Sequence, residues 1–390
     1  VVITSASRTA IGSFGGSLKD TSAIDLGTIA AKSAIARSGM DAEVFGHTVI
    51  GNVIHGEARD MYISRVISVN AGVSKHAPAL TVNRLCGSGL QAIVSAAQTV
   101  MLGDCEAAIA GGAESMSNGG YMLPRMRFGA RMGESNVIDM MQGALYDPFG
   151  HGLMGITAEN IASRYGINRE AQDAFAAESQ RRAAAAIDAG YFQDQIVPVP
   201  VKSRRETVDF DTDEHPREVT IEKLGTMKTI FKADGSVTAG NASGINDGAA
   251  VLTLAAESAV AKLGGTPLAR IVSYGHAGVE PDEMGVGPVP AVKIALAKAG
   301  LKASDFDVVE SNEAFAAQAC YVGRELDLDP AIVNPNGGAI ALGPPVGATG
   351  AILATKAMYE LQRTGGRYGL LTMCIGGGQG IAIIIENLQG

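Results

Sequence analysis

The sequence predicts an α/β fold made of two similar halves with an insertion between them. Three observations support this fold: strand-like and helix-like segments alternate, a helix–strand pattern occurs twice, and the composition changes in the middle of the chain. Such alternation is typical of a mostly parallel sheet covered by helices. We therefore assign residues 1–117 to an N-terminal half, 118–243 to the insertion and 244–390 to a C-terminal half.

The internal repeat consists of two matches in the same order. Ala34–Gly39 matches Ala295–Gly300, and both segments lead into apolar strands. Cys86–Gly89, followed by a helix, a strand and a glycine pair, matches Val346–Gly350 at a similar offset. Any two helix–strand units look somewhat alike, but two matches in one order favour a duplication.

The region between the halves differs in composition. Met, Arg and Pro become frequent at Met122–Arg127, and a long polar helix is predicted over Arg169–Ala189. Neither feature continues the repeat, so we interpret residues 118–243 as an insertion.

Composition excludes several classes of function. The chain carries 31 basic and 40 acidic residues, a net charge of −9, without a long Lys/Arg run, which argues against a nucleic-acid partner. The longest apolar stretches, such as Ala249–Ala256, are shorter than the roughly 18 residues that span a bilayer, so no membrane association is expected. No basic-then-apolar signal opens the chain; because residue 1 is Val, prior removal of a transit peptide stays open.

The cysteine pattern indicates neither a disulfide framework nor a metal site. The chain has 4 cysteines, which are widely separated and lack Cys-x-x-Cys spacing or nearby His pairs, at positions 86, 105, 320 and 374. This usage predicts a reducing compartment, most simply a bacterial cytoplasm.

One turn in the N-terminal half carries a candidate nucleophile. Leu80–Val82 predicts a buried strand, and Gly87 and Gly89 allow a sharp turn into a segment with helical apolar spacing. The thiol of Cys86 would then lie next to a helix N-terminus, where unpaired amides and the helix dipole lower a thiol's pKa. The alternative is a small buried apolar side chain, which is what free cysteines usually are.

Four motifs together resemble the thiolase family, whose members make or cleave 3-ketoacyl-CoA thioesters. They are Asn83–Ala92, Asn312–Ala316, Gly343–Gly350 and Cys374–Gly380, and the resemblance covers essentially the whole chain. The bacterial biosynthetic and broad-range 3-ketothiolases are especially similar. The resemblance implies the thiolase fold, in which a loop domain covers the acyl-CoA and assists assembly of a homotetramer, a dimer of dimers. It implies coenzyme A thioesters as substrates and no separate cofactor.

The resemblance also implies catalytic roles for four residues. Cys86 would take the acyl group as nucleophile, and Cys374 would act as general acid and base, although a buried core thiol is the alternative for Cys374. The amides of Cys86 and Gly376 would form one oxyanion hole, and Asn312 would hold a water for the other.

Five further residues are candidates for binding the substrate. Arg217 is placed to meet the phosphates of coenzyme A, with a solvated surface charge as the alternative. Ser243 would lie along the pantetheine arm. Met284 would line the acyl pocket, and Met154 and Phe315 are assigned to substrate binding by the same resemblance.

The chain departs from the family at two positions. The third catalytic motif reads Gly-His-Pro in the family but Gly343-Pro344-Pro345 here, and proline has neither a proton to exchange nor a side-chain donor. None of the 6 histidines lies in the C-terminal motif region of the sequence. Leu153 stands where biosynthetic relatives usually have His, and His151 is the nearest possible substitute.

These observations leave two hypotheses. An active thiolase would use Cys86 without the family histidine, and a thiolase-like protein would bind acyl-CoA but condense it poorly or not at all. Retention of Cys86, Cys374, Asn312 and Gly376 favours the enzyme, and Pro344 favours the binding protein. A dinucleotide oxidoreductase is discarded because no Gly-x-Gly-x-x-Gly follows a predicted strand.

Overall fold

A computed structural model describes residues 1–203 and 206–389. In residues 1–117 the strands are β1 (Val2–Arg8), β2 (Gly12–Ser13), β3 (His47–Gly51), β4 (Ala79–Val82) and β5 (Ala107–Ser115). The helices of this part are α1 (Ala23–Ser38), α2 (Ile63–Asn70) and α3 (Ser88–Met101).

The middle of the chain contains short strands and two longer helices. Its strands are β6 (Tyr121–Met122), β7 (Ile138–Asp139), β8 (Tyr146–Asp147), β9 (Gly152–Leu153), β10 (Val199–Ser203) and β11 (Glu206–Phe210). Its helices are α4 (Met140–Ala144), α5 (Met154–Tyr165), α6 (Arg169–Asp188) and α7 (Ile221–Gly225).

The remainder of the chain returns to long strands and buried helices. The strands are β12 (Asn246–Ala255), β13 (Ala269–Gly278), β14 (Val308–Ser311), β15 (Tyr368–Ile375) and β16 (Gln379–Asn387). The helices are α8 (Pro288–Ala299), α9 (Ala316–Glu325), α10 (Ala339–Leu342) and α11 (Thr349–Thr364).

One 10-stranded sheet runs through the molecule in the order β14-β15-β16-β13-β1-β12-β5-β3-β4, with β2 paired to β12. The prediction of a mostly parallel sheet is wrong. Only the β14/β15, β3/β4 and β3/β5 pairs are parallel within the described sheet, and its other pairs are antiparallel. The reason is that β12 and β16 each lie between two strands that run in the opposite direction. The order of segments in the sequence does not show these directions.

The sheet has two parts, which we call arms, on either side of the β1/β13 pair. The two arms have the same order of strands, which confirms two similar α/β halves. In one arm β1, β12, β5 and β3 are neighbours, and in the other β13, β16, β15 and β14 are neighbours. The helices α1 and α8, which carry the repeated sequence, both end at a glycine in the left-handed region, Gly39 at φ 73° and Gly300 at φ 68°. The two arms join where Val2 and Ile3 pair with Arg270 and Ala269.

The division at residue 243 falls directly before a strand of the first arm. β12 follows that position in the sequence, yet it pairs along its length with β5 and also with β1. The first arm therefore contains strands from before and after the insertion.

Helices α3 and α11 meet in the core at their N-terminal turns. A Cβ added to Gly89 would lie 2.6 Å from the backbone N of Ala351, and one added to Gly350 would lie 2.3 Å from the backbone N of Leu90. Two backbones approach this closely only where no side chain intervenes. The close contact fixes the segments that precede both helices next to each other.

The predicted strand before α3 forms, but it is not buried. β4 is the last strand of the sheet and pairs with β3 on one side. Leu80 is 46% exposed as a result. No helix in the described ranges combines the length and apolar character that crossing a bilayer requires.

We expect Gly350→Ala to lower the free energy of unfolding by about 1–3 kcal/mol, because the added methyl group would press on the backbone of α3. Gly323→Ala in α9 is the matched control. A Cβ at Gly323 meets nothing within 4 Å, so alanine should stabilise that helix by about 0.5–1 kcal/mol. Urea unfolding of both variants measures the difference, and equal stability of the two would contradict the close helix contact.

Candidate active site

The turn between β4 and α3 holds Cys86 two residues before the helix begins. Leu85 has φ +47°, a left-handed conformation that is uncommon for a leucine. Two side chains fix it: Asn83 Oδ1 accepts from the backbone N of Leu85 at 2.9 Å, and Ser88 Oγ donates to the Leu85 carbonyl at 2.7 Å. The thiol is thus presented by a strained turn that its neighbours hold in place.

Gly87 is required for space rather than for an unusual backbone angle. Its φ is −78°, which any residue adopts. A Cβ there would lie 2.5 Å from Ile375 Cδ1, at the end of β15. The nucleophile turn therefore packs directly on the strand that carries Cys374.

Two backbone amides close to Cys86 affect the pKa of its thiol. They are the N–H of Gly376 and the cysteine's own N–H, and both favour the thiolate. Burial opposes them and dominates, and the nearby Glu114 carboxylate acts in the same direction as burial. The pKa of Cys86 is therefore raised. The expectation that the helix terminus lowers the pKa of Cys86 is wrong, because desolvation outweighs the amides.

Cys374 is fully buried near the end of β15, opposite Gly380 of β16. Burial raises the pKa of its thiol, and the charge of Cys86 raises it further. The two thiols are therefore close enough for a charge on Cys86 to affect the pKa of Cys374. With its pKa raised, Cys374 is a proton-carrying group.

Asn312 lies beside the strand that carries Cys374. It follows β14, and its backbone N donates to the Thr372 carbonyl of β15 at 3.0 Å. Its Oδ1 is buried and has no partner among the described residues. An unpaired buried acceptor is costly and calls for a water or ligand, which is compatible with the water-holding role that we predict for this residue.

A cavity of about 740 Å³ is lined mainly by residues between 139 and 245, together with Ser13, Phe14 and Phe315. Four of the predicted residues line it: Arg217, Ser243, Met154 and Phe315. Arg217 is exposed at the surface, whereas Met154 and Phe315 are at most 9% exposed. The volume lies within the roughly 300–1,000 Å³ typical of small-molecule sites.

Two of the other predicted residues, Cys374 and Met284, pack against side chains that line this cavity. Cys374, Met284, Met154 and Phe315 belong to one buried apolar cluster. A Cβ on Gly376 would lie 2.9 Å from Met154 Cε. The cavity therefore ends on side chains that contact the two-cysteine centre, while the cysteines themselves do not line it.

Pro344 is buried in the loop between α10 and α11. Gly343 before it has φ +91°. Val346, two residues after it, packs with Ile54 and Met116 in a cluster that Cys86 also contacts. The altered motif position thus belongs to the surroundings of the nucleophile, as the sequence order of the motifs alone does not show.

Glu114, near the end of β5, was not predicted from the sequence. This fully buried carboxylate accepts hydrogen bonds from the side-chain amide of Asn52 and from the backbone N–H groups of Val53, Ile54 and Gly347, at 2.9–3.1 Å. Burial raises the pKa of Glu114 to about 8, and the backbone N–H groups oppose that rise. It ties the loop after Pro344 to the first arm. Its signal in the sequence is a lone acidic residue in the apolar run Ala107–Ser115.

His215 was not among the predicted site residues either, because it is far from the altered motif in the sequence. It lines the cavity, and its Nδ1 lies 3.2 Å from Asn246 Nδ2, while Asn246 packs on Gly343.

His151, the possible substitute for a histidine at 153, does not line the cavity. Leu153 lines the cavity, and His151 instead lies 4.0 Å from Asp147 with 38% of its side chain exposed.

Among the described residues there is no group of three or more His, Cys, Asp or Glu side chains placed to hold a metal ion. The cavity wall offers apolar and hydrogen-bonding groups, the carboxyl groups of Asp139 and Glu214, and the guanidinium group of Arg217.

Family models match almost the entire chain. The model for the thiolase N-terminal domain covers residues 1–258, and the model for the thiolase C-terminal domain covers residues 265–387. The beta-ketothiolase BktB of Cupriavidus necator is 60% identical over 390 residues, which is 100% of this chain and 99% of that protein. An acetyl-CoA acetyltransferase of Thiocystis violacea is 48% identical, with 100% and 99% covered.

Solved structures agree with the fold. The crystal structure of human mitochondrial 3-ketoacyl-CoA thiolase superimposes with a TM-score of 0.96 and 45% identity, covering 99% of this chain and 98% of that one. The Bacillus anthracis acetyl-CoA acetyltransferase gives a TM-score of 0.96 with 44% identity and the same coverage.

We expect Glu114→Gln to destabilise the protein by about 1–3 kcal/mol, because the amide nitrogen would face N–H groups that then lose their acceptor. Glu106→Gln, which removes a carboxylate 56% exposed in its pair with Lys262, should change stability by no more than about 0.5 kcal/mol. Thermal unfolding measures both. Equal effects would show that the four hydrogen bonds to Glu114 contribute little.

His215 should make stability depend on pH. Burial, with help from Arg217, lowers the pKa of His215 from 6.5 to about 4. The unfolded chain therefore binds this proton first as the pH falls from 6.5 to 4, and the folded state loses stability across that window, by about 3 kcal/mol. Urea unfolding at several pH values should show a shallower loss for His215→Leu and an unchanged loss for His76→Leu at an exposed site. Parallel curves for all three proteins would contradict the burial of His215.

Proposed function

The chain belongs to the thiolase family, and on that premise we propose that it is an acyl-CoA C-acyltransferase that reversibly cleaves or forms 3-ketoacyl-CoA thioesters through an acyl-Cys86 intermediate. One observation carries the proposal. The N–H groups of Gly376 and of Cys86 itself favour the Cys86 thiolate, and the thiol of Cys374 is close enough to affect it electrostatically. This proximity supports a site in which a nucleophile, two oxyanion donors and a proton carrier act together.

The first half-reaction transfers an acyl group to the protein. The Cys86 thiolate attacks the carbonyl carbon of an acyl-CoA, an S–C bond forms, and the bond to the coenzyme A sulfur breaks. The Cys374 thiol donates its proton to the departing coenzyme A thiolate and is left as the thiolate that the second half-reaction uses. The amides that face Cys86 are placed to bind the carbonyl oxygen as it gains negative charge.

The second half-reaction forms the carbon–carbon bond. Cys374, as thiolate, removes a proton from the α-carbon of a second thioester, and the carbanion attacks the acyl carbon on Cys86. The Cys86 thiolate leaves, and Cys374 holds the abstracted proton. The unpaired oxygen of Asn312 supports a water at this point that would bind the enolate oxygen. Thiolysis is the same sequence in reverse.

Pro344 limits the first half-reaction. No side chain at 344 can accept the Cys86 proton or donate to an oxyanion, and the pKa of Cys86 is raised rather than lowered. Loss of a base or of an oxyanion donor typically reduces the rate by about 10²–10⁴. We therefore propose an enzyme whose acyl transfer is slowed at this step.

The second candidate is a protein that binds acyl-CoA without condensing it. The buried proline at 344 is the observation that favours it. The retained Cys374, Asn312 and Gly376 favour the enzyme, since binding alone requires none of them.

The remaining parts of the proposal concern ligands and assembly. Arg217 and Ser243 in the cavity wall would bind the phosphates and the pantetheine arm of coenzyme A, and no other cofactor is invoked. Side chains in the insertion such as Phe128 and Met132, exposed by 85% and 86%, support burial against other subunits of a homotetramer. The 4 free thiols support a reducing compartment such as a bacterial cytoplasm.

Restoring the family histidine tests the proposal. We expect Pro344→His to raise kcat for thiolysis of acetoacetyl-CoA by about 10²-fold or more, since it supplies both a base and a donor. Pro344→Ala relieves the proline without adding a titratable group and should leave kcat within about threefold. Cys86→Ser in the Pro344→His protein should abolish turnover. Absence of turnover in every variant would refute the enzyme and favour the binding protein.

A further inference from the structure

Two buried polar side chains, His215 and Asn246, lie between the cavity and the loop that carries Pro344. Asn246 is fully buried at the start of β12, and its Nδ2 donates to the Gly12 carbonyl at 3.0 Å. His215 Nδ1 lies 3.2 Å from the same nitrogen. Because the Gly12 carbonyl only accepts, the carboxamide orientation is fixed, and His215 Nδ1 must be the acceptor of the second Nδ2 hydrogen. The imidazole is therefore neutral, with its proton on Nε2.

Asn246 packs against Gly343, in the loop that carries Pro344. A Cβ added to Gly343 would lie 2.3 Å from Asn246 Cγ and 2.4 Å from both its Nδ2 and Oδ1. The carboxamide thus fills the space beside the Gly343 α-carbon and lies flat against it. Together with φ +91° at Gly343, this contact leaves the turn before Pro344 little freedom.

His215, the second residue of the pair, contacts Gly244 and the cavity. Its ring packs on Gly244, where an added Cβ would lie 2.3 Å from Cε1 and 2.8 Å from Nε2. The ring lines the cavity beside Ser243 and Arg217. Its Nε2 is nevertheless buried and has no partner in the described part of the chain, so the ring meets the cavity mainly with its carbon atoms.

From this arrangement we infer that His215 and Asn246 are positioning residues. They set the place of the Gly343–Pro344 turn relative to the acyl-CoA cavity, through the Nδ2–H···Nδ1 hydrogen bond and the packing of the carboxamide on Gly343. The inference rests on the proposed function for its kinetic consequence only. Val346 of the same loop packs in the cluster that Cys86 contacts, so a displaced turn changes the surroundings of the nucleophile.

Two substitutions of His215 separate the hydrogen bond from simple packing. His215→Asn places an amide oxygen near the position of Nδ1 and keeps an acceptor for Asn246, whereas His215→Leu keeps the bulk and removes the acceptor. The first readout is the rate at which iodoacetamide alkylates Cys86, followed by peptide mapping. We expect about a tenfold faster rate in His215→Leu, because the loosened loop uncovers the thiol, and a rate within about twofold of the parent in His215→Asn.

The second readout is the affinity for coenzyme A, measured by calorimetry. We expect both variants to keep Kd within about threefold, because the ring offers no accessible polar atom to the ligand. Where turnover is measurable, kcat should fall about tenfold or more in His215→Leu with KM unchanged, and His215→Asn should restore it. Gly343→Ala, which presses on the same carboxamide, provides a second route to the displaced loop should His215→Leu fail to fold.

Two results would overturn the inference. If His215→Asn matches His215→Leu in alkylation rate, the hydrogen bond to Asn246 does not position the loop. If coenzyme A affinity falls while the alkylation rate stays constant, His215 belongs to the ligand site instead. Alkylation needs no turnover, so a chain that transfers no acyl group refutes the proposed function and still leaves this inference decided by the thiol's reactivity.

Discussion

The close contact between the N-terminal turns of α3 and α11 is the constraint on which the site depends. Gly89 and Gly350 allow the two backbones to touch, and each helix is preceded by a functional loop of its own half. The loop before α3 carries Cys86, and the loop before α11 carries Pro344. Since the two halves are similar, the same structural position of the fold is used twice, once for a nucleophile and once for the group that would serve it. Glu114 strengthens this arrangement because its carboxylate binds the Gly347 amide from the opposite half.

Much of this could be predicted from local sequence, and the limits are physical. The turn at Cys86, the long helix at Arg169–Asp188 and the duplicated α1 and α8 follow from glycine placement and apolar spacing. The antiparallel entry of β12 and β16 could not be predicted, because strand direction depends on partners far along the chain. The raised pKa of Cys86 was also out of reach, since the sequence indicates the helix terminus but not the burial that outweighs it. His215 was missed because its link to the loop passes through Asn246, 31 residues away.

The chemistry of the site is a balance between burial and directed amides. Burial raises the pKa of both thiols, and the N–H groups at Cys86 recover part of that cost for its thiolate. In the family pattern a histidine would complete the balance by taking the proton. Here the corresponding loop is still held in place by Asn246 and Glu114, while the residue that it presents cannot exchange a proton. Under the proposed function, the chain keeps the groups for acyl transfer and lacks one proton-exchanging side chain.

The most direct test of this account is intact-mass analysis of the purified protein after incubation with acetyl-CoA. The account predicts slow addition of a single acetyl group, mapped to Cys86, lost in Cys86→Ser and accelerated in Pro344→His. Acetylation that persists in Cys86→Ser, or that fails even when the histidine is restored, would contradict the claim that this turn carries the nucleophile of an acyltransferase.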